Sequence, residues 1–119
     1  MGGTKDFVEK RIFEYKSIGT VGGFKIIEGV NGKHNLPNVS NTSTGYVKLS
    51  NNVPHTIRLY KNQKKFKDID WMHDNGNIKA GDFHVHDYKN GIRIHKARKP
   101  SKHEYRIGMV VKYGKRKNA

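Results

Sequence analysis

Apolar and polar residues alternate through Phe83-His84-Val85-His86-Asp87-Tyr88, and again through Ile92-Arg93-Ile94-His95. A period of two marks a strand with one face on a core. Between the two runs stands Asn90-Gly91, a pair that accepts positive φ at both central positions of a two-residue type I′ turn. Residues 82–95 are therefore expected to form a β-hairpin. With Asn90-Gly91 as its turn, Lys89 faces Ile92, Tyr88 faces Arg93, Asp87 faces Ile94 and His86 faces His95. His84, His86, Tyr88, Arg93 and His95 then share one face, and Phe83, Val85, Ile92 and Ile94 share the other. A slip of one residue would mix the two sets, which argues for this register.

The same reading extends along the chain. Residues 24–30 form an expected strand closed by Asn31-Gly32, and residues 46–49 a short one. Residues 55–60 and 65–71 suit a second hairpin around Lys61-Asn62-Gln63-Lys64, with Leu59 opposite Phe66; the faces taken by Asp68 and Asp70 stay open. Residues 5–18 fit either a helical stripe (Phe7, Val8, Ile12, Tyr15) or a strand. Residues 31–45, rich in Asn, Ser and Thr, read as a long loop, and such loops in compact domains are often binding loops. Residues 103–113 alternate well enough to be read as a last strand. The expected fold is one small β-rich α+β domain over residues 1–119, built on a twisted antiparallel sheet of hairpins, with residues 1–4 and 114–119 flexible.

Composition narrows the chemistry. The 119 residues suit one domain, and a hydrophobic share of 34% implies a small core. With no cysteine, a disulfide framework, a thiol nucleophile and a thiolate metal site are all excluded. No apolar run is long enough to span a membrane, so no membrane partner is expected. Twenty-four Lys and Arg against ten Asp and Glu give a net charge of +14. That field attracts polyanions, and nucleic acid is the expected partner.

Seven histidines in such a chain suggest cleavage of RNA without a metal or other cofactor. That reaction needs a base for the 2′-hydroxyl proton, an acid for the leaving 5′-oxygen and a cation for the phosphate. Imidazoles titrate near neutrality and can take both proton roles, while a guanidinium clamps phosphate oxygens in pairs. The candidate catalytic residues are His84 and His86, with His73 or His95 as the second proton carrier. Arg58, Arg93 and Tyr88 are candidates for holding substrate, with RNA preferred over DNA. Asp68 and Asp70 either orient a histidine or answer neighbouring lysines. A second reading uses His84-x-His86 as metal ligands, with Asp70 and His73 nearby; Arg93 across the hairpin counts against a cation there. A third reading is binding of nucleic acid, or blocking of a nucleic-acid enzyme, without catalysis.

The order Arg58-x-Tyr60, Asp68-Ile69-Asp70, His73, His84-x-His86 and then Asp87-Tyr88 resembles C-terminal nuclease-like toxin domains of bacterial polymorphic toxins and phage-associated proteins. The similarity covers residues 55–95, about a third of the chain. It implies a nuclease toxin whose site includes Arg58, Tyr60, Asp68, Asp70, His73, His84 and His86, with Tyr60 joining the residues that hold substrate. It further implies a cytoplasmic site of action, delivery from outside as part of a longer secreted chain, and an acidic immunity or inhibitor protein as partner. The chain departs from the pattern in its first turn, where Lys61-Asn62-Gln63-Lys64 lacks the usual glycine.

Overall fold

A computed structural model describes residues 15–30, 35–71 and 83–118. Eight strands form a single sheet: β1 (Tyr15–Val21), β2 (Phe24–Gly29), β3 (Gly45–Ser50), β4 (Val53–Lys61), β5 (Lys64–Trp71), β6 (Phe83–Lys89), β7 (Ile92–Arg93) and β8 (Lys117–Asn118). Their spatial order is β7-β6-β5-β4-β3-β2-β1-β8. Every neighbouring pair is antiparallel except β2 with β3. Among the described residues one helix, α1 (Lys102–Tyr113), packs on the sheet. The fold is the β-rich α+β domain expected from the alternation.

Four turns are two residues long and carry positive φ at both positions: Gly22-Gly23, Asn51-Asn52, Asn62-Gln63 and Asn90-Gly91. Such turns carry a twist that matches that of the strands they join. Asn90-Gly91 sets the expected register, with Tyr88 opposite Arg93 and Lys89 opposite Ile92.

The core follows one row of the ladder. Ile26, Val47, Ile57, Ile69 and Val85 pair in sequence across β2 to β6, and each is at most 2% exposed. Burying each such side chain contributes roughly 1.5–3 kcal/mol. Helix α1 covers this row, burying Glu104, Gly108 and Val111 at helical spacing. A Cβ on Gly108 would lie 2.6 Å from the Phe83 ring, so glycine lets the helix sit close on β6.

Several expectations are corrected. Residues 103–113 are helical, not a strand. Ser101 caps α1 by accepting from the Glu104 amide, while the Glu104 carboxylate accepts from the Ser101 amide. That capping box nucleates a helix whatever the alternation behind it. Leu59 pairs with Lys67, not Phe66, because Phe66 is the extra residue of a bulge between the Leu59–Lys67 and Tyr60–Lys65 pairs. Ile92 and Ile94 do not share the core with Phe83 and Val85; they are 72% and 45% exposed. β7 ends at Arg93, the chain swings outward, and it returns where Arg98 bridges Val85. In the tail, expected to be flexible, Lys117 and Asn118 pair with Thr20 and Gly19 of β1. The expectations for residues 1–14, for Asn31-Gly32 and for His73 lie outside the described residues.

Candidate functional site

The face of the sheet opposite α1 is polar because the ladder puts unlike residues in line. Lys25, Tyr46, Arg58, Asp68 and His86 form one row, and Lys48, Thr56, Asp70 and His84 the next. The bulge at Phe66 decides this: it brings Asp68 opposite Arg58 and Asp70 opposite Thr56. Asp68 and Asp70 thus both take the histidine face.

Half of this face is sealed. Loop residues 35–40 lie over it, held by Ser40 N to Gln63 O (2.9 Å) and Lys65 N to Asn38 O (3.2 Å). Beneath them Arg58 uses all five of its N–H donors. Nε donates to Asp68 Oδ1 (2.7 Å), Nη2 to Asp68 Oδ2 (2.9 Å) and to the Tyr88 hydroxyl (3.1 Å), and Nη1 to the carbonyls of Leu36 (2.8 Å) and Pro37 (3.4 Å). The Tyr88 hydroxyl donates to Asp68 Oδ2 (2.6 Å), and that of Tyr60 to the Pro37 carbonyl (2.5 Å). Burial alone would lower the Arg58 pKa, but the Asp68 carboxylate outweighs it and the net shift is upward. Burial pushes Tyr60 up and, aided by Asp68, takes Tyr88 up to about 12. Arg58, Tyr60 and Tyr88, expected to hold substrate, thus lie in the interior, with their polar ends already engaged. Asp68 orients Arg58 and Tyr88, not a histidine.

The other half, which loop residues 35–40 do not cover, carries the histidines. At the end of the sheet formed by β5, β6 and β7, one ligand atom each of Asp70, His84 and His86 lies within 4.8 Å of the others. His84 Nε2 is 3.7 Å from Asp70 Oδ2, and Arg93 Nη2 donates to the same oxygen at 3.3 Å. The two imidazole centroids are 4.9 Å apart, edge to face. The pKa of His84 is lowered, first by burial and further by His86 and Arg93, with Asp70 opposing.

Hydrogen bonds fix Asp70 and His86 from behind, whereas His84 Nδ1 is buried without a partner among the described residues. Thr56 Oγ1 donates to Asp70 Oδ1 (2.7 Å). Having given its one proton there, it accepts from His55 Nδ1 (2.8 Å). The Ile94 carbonyl can only accept, so His86 Nδ1 carries the hydrogen of their 3.1 Å bond and Nε2 is the nitrogen with a lone pair in the neutral ring.

His95 does not join this group. It lies exposed in the bend after β7 and is not paired with His86 as the extended hairpin required. His55, expected to converge on this face from the second hairpin, reaches it through Thr56. Thr56 is the member that sequence reasoning missed: its signal was the pairing across β4 and β5, hidden by the bulge. Two concavities lie elsewhere. One of about 440 Å³ is bordered by Tyr15, Ile27, Lys48 and Leu49; another of about 640 Å³ by Phe24, Leu59, Phe66 and Ile107. The histidine cluster is part-buried: the side chains of His84 and Asp70 are 13% and 14% exposed. Comparison with protein families, curated proteins and solved structures gives no match. Among the described residues no helix is long and apolar enough to cross a membrane.

Proposed function

We propose that the protein is a small basic nuclease, a toxin-like ribonuclease using histidine acid/base chemistry. One observation carries the reading. His84, His86, Asp70 and the half-exposed Arg93 meet on one strand face, in a chain of net charge +14. In the reaction, a 2′-hydroxyl oxygen attacks the neighbouring phosphorus and the P–O5′ bond breaks. One imidazole takes the hydroxyl proton and the other gives a proton to the departing 5′-oxygen, leaving a 2′,3′-cyclic phosphate and a 5′-hydroxyl. Arg93, half-exposed and joined to Asp70 through one nitrogen, has donors left for the non-bridging oxygens. Asp70 holds Arg93 in place through a hydrogen bond and lies 3.7 Å from His84 Nε2. This arrangement needs neither His73 nor His95. The +14 field supplies the long-range attraction for RNA and for an acidic immunity protein.

The test is incubation of labelled RNA and DNA with the protein in excess chelator. RNA cleavage is expected. His84→Ala and His86→Ala should each lower it by about 10²–10⁴-fold, with far-UV circular dichroism and RNA affinity nearly unchanged. A mobility shift with no cleavage under any condition would leave only a nucleic-acid-binding protein.

A further inference from the structure

The three side chains at the heart of the histidine face have a second capacity that needs no nucleic acid. We propose that Asp70, His84 and His86 bind one late first-row divalent cation of the zinc type. The donors would be one carboxylate oxygen and two imidazole nitrogens. The binding claim stands whether or not the protein is a nuclease.

Placement comes from the backbone. Asp70 and His84 are direct cross-strand partners, and His86 is two residues further along β6 on the same face. Their candidate ligand atoms already lie within 4.8 Å of one another. Ligands about 2.0–2.2 Å from zinc sit somewhat closer together than that, a gap that small side-chain rotations close. Ligands carried on paired strands are held more firmly than ligands on loops.

The surroundings resemble a metal site's outer shell. His86 gives its Nδ1 hydrogen to a backbone carbonyl, which fixes the tautomer and presents Nε2. Asp70 has one oxygen held by Thr56, itself backed by His55, and turns the other to His84 Nε2. Two nitrogens and one carboxylate suit zinc, cobalt or nickel, whereas calcium and magnesium prefer all-oxygen sets. Three protein ligands leave a fourth position open.

Arg93 is the obstacle, and it makes the proposal sharp. Its guanidinium bonds the same Asp70 oxygen that faces His84, so a cation must displace it. The Arg93 side chain is 45% exposed and has room to swing into solvent. Removing it should therefore tighten metal binding, the opposite of what loss of a supporting residue does. A bound ion would also occupy the lone pairs used in the proposed cleavage. That second consequence rests on the nuclease reading: metal loading should suppress cleavage.

Chelator-treated protein is titrated with Co²⁺, followed by its d–d absorption and by Zn²⁺ competition. One-to-one binding is expected, with the intense bands of a four-coordinate ion. His84→Gln, His86→Gln and Asp70→Asn should each weaken it by more than about a hundredfold. Thr56→Ala should weaken it by about tenfold, and Arg93→Gln should strengthen it. Circular dichroism and thermal melts confirm that each variant folds. Absence of the bands, or an affinity in both histidine variants equal to that of the parent protein, overturns the site. RNA cleavage measured alongside separates the two readings. Cleavage in chelator without Co²⁺ binding removes the metal site and keeps the nuclease. Co²⁺ binding that restores cleavage to an inert chelated protein keeps the metal site and removes metal-free proton transfer.

Discussion

Arg58 shows how little a residue's type says about its task. In sequence it looks like a phosphate clamp; in the fold its five donors are spent on Asp68, Tyr88 and two loop carbonyls. A buried ion pair of this kind fixes geometry more than it adds stability, but removing one partner strands the other charge. Asp68→Asn is therefore expected to destabilise the protein by about 3–5 kcal/mol in urea denaturation. RNA affinity, measured well below the melting temperature, should stay the same. A large affinity loss with normal stability would put Arg58 back among the substrate contacts. Arg93, beyond the β6–β7 turn in sequence yet beside Asp70 in space, is the guanidinium that remains half-exposed.

At the scale of elements, helix α1 repays attention twice. Gly108 in its middle costs about 1 kcal/mol of helix propensity relative to alanine. Gly108→Ala should nonetheless destabilise, by about 1–3 kcal/mol, since the new methyl meets a Phe83 ring that is buried and stacked on Tyr105. A raised melting temperature would mean that the ring moves aside. At the N-terminus of α1, the Glu104 carboxylate accepts from Arg98, Lys67 and the Ser101 amide. Arg98 in turn grips Asp87 through two hydrogen bonds, so one network ties helix to sheet edge. The Arg98 hydrogen bonds hold Glu104 well below the usual carboxylate range, against the opposing effect of burial. Because the folded pKa is depressed, this stabilisation is full above the unfolded pKa and is lost as pH falls through the folded one. Glu104→Gln should cost about 3 kcal/mol near neutrality, and its stability should converge on that of the parent as the pH is lowered. A pH-independent gap would assign the loss to packing.

For the whole molecule the dominant number is +14. Binding to a polyanion displaces counterions, so the logarithm of RNA affinity should fall linearly with the logarithm of salt concentration. Filter-binding or fluorescence anisotropy between low and physiological salt measures the slope. A flat response would mean that recognition does not run through phosphates. The sheet bears on this as a scaffold. Among the described residues, one face is covered by α1 and half of the other by loop residues 35–40, while the end with Asp70, His84, His86 and Arg93 lies outside that cover.

Much of this was legible from one dimension. Alternation placed β2 to β6, Asn90-Gly91 set the β6–β7 turn, and the period of two put His84 and His86 on one face. Those signals are local: a strand's faces and a turn's φ angles depend on a few neighbouring residues. The helix at 102–113 was also encoded locally, in Ser101 and Glu104, but the alternation of Ile107, Met109 and Val111 masked it. What only the tertiary structure decided was which strands lie side by side and with what offset. The Phe66 bulge aligned Asp70 with Thr56 and Asp68 with Arg58, and the swing after Arg93 took His95 away from His86. Such offsets come from packing whole strands against a core and a covering loop, a balance of distant contacts that no short window of sequence contains.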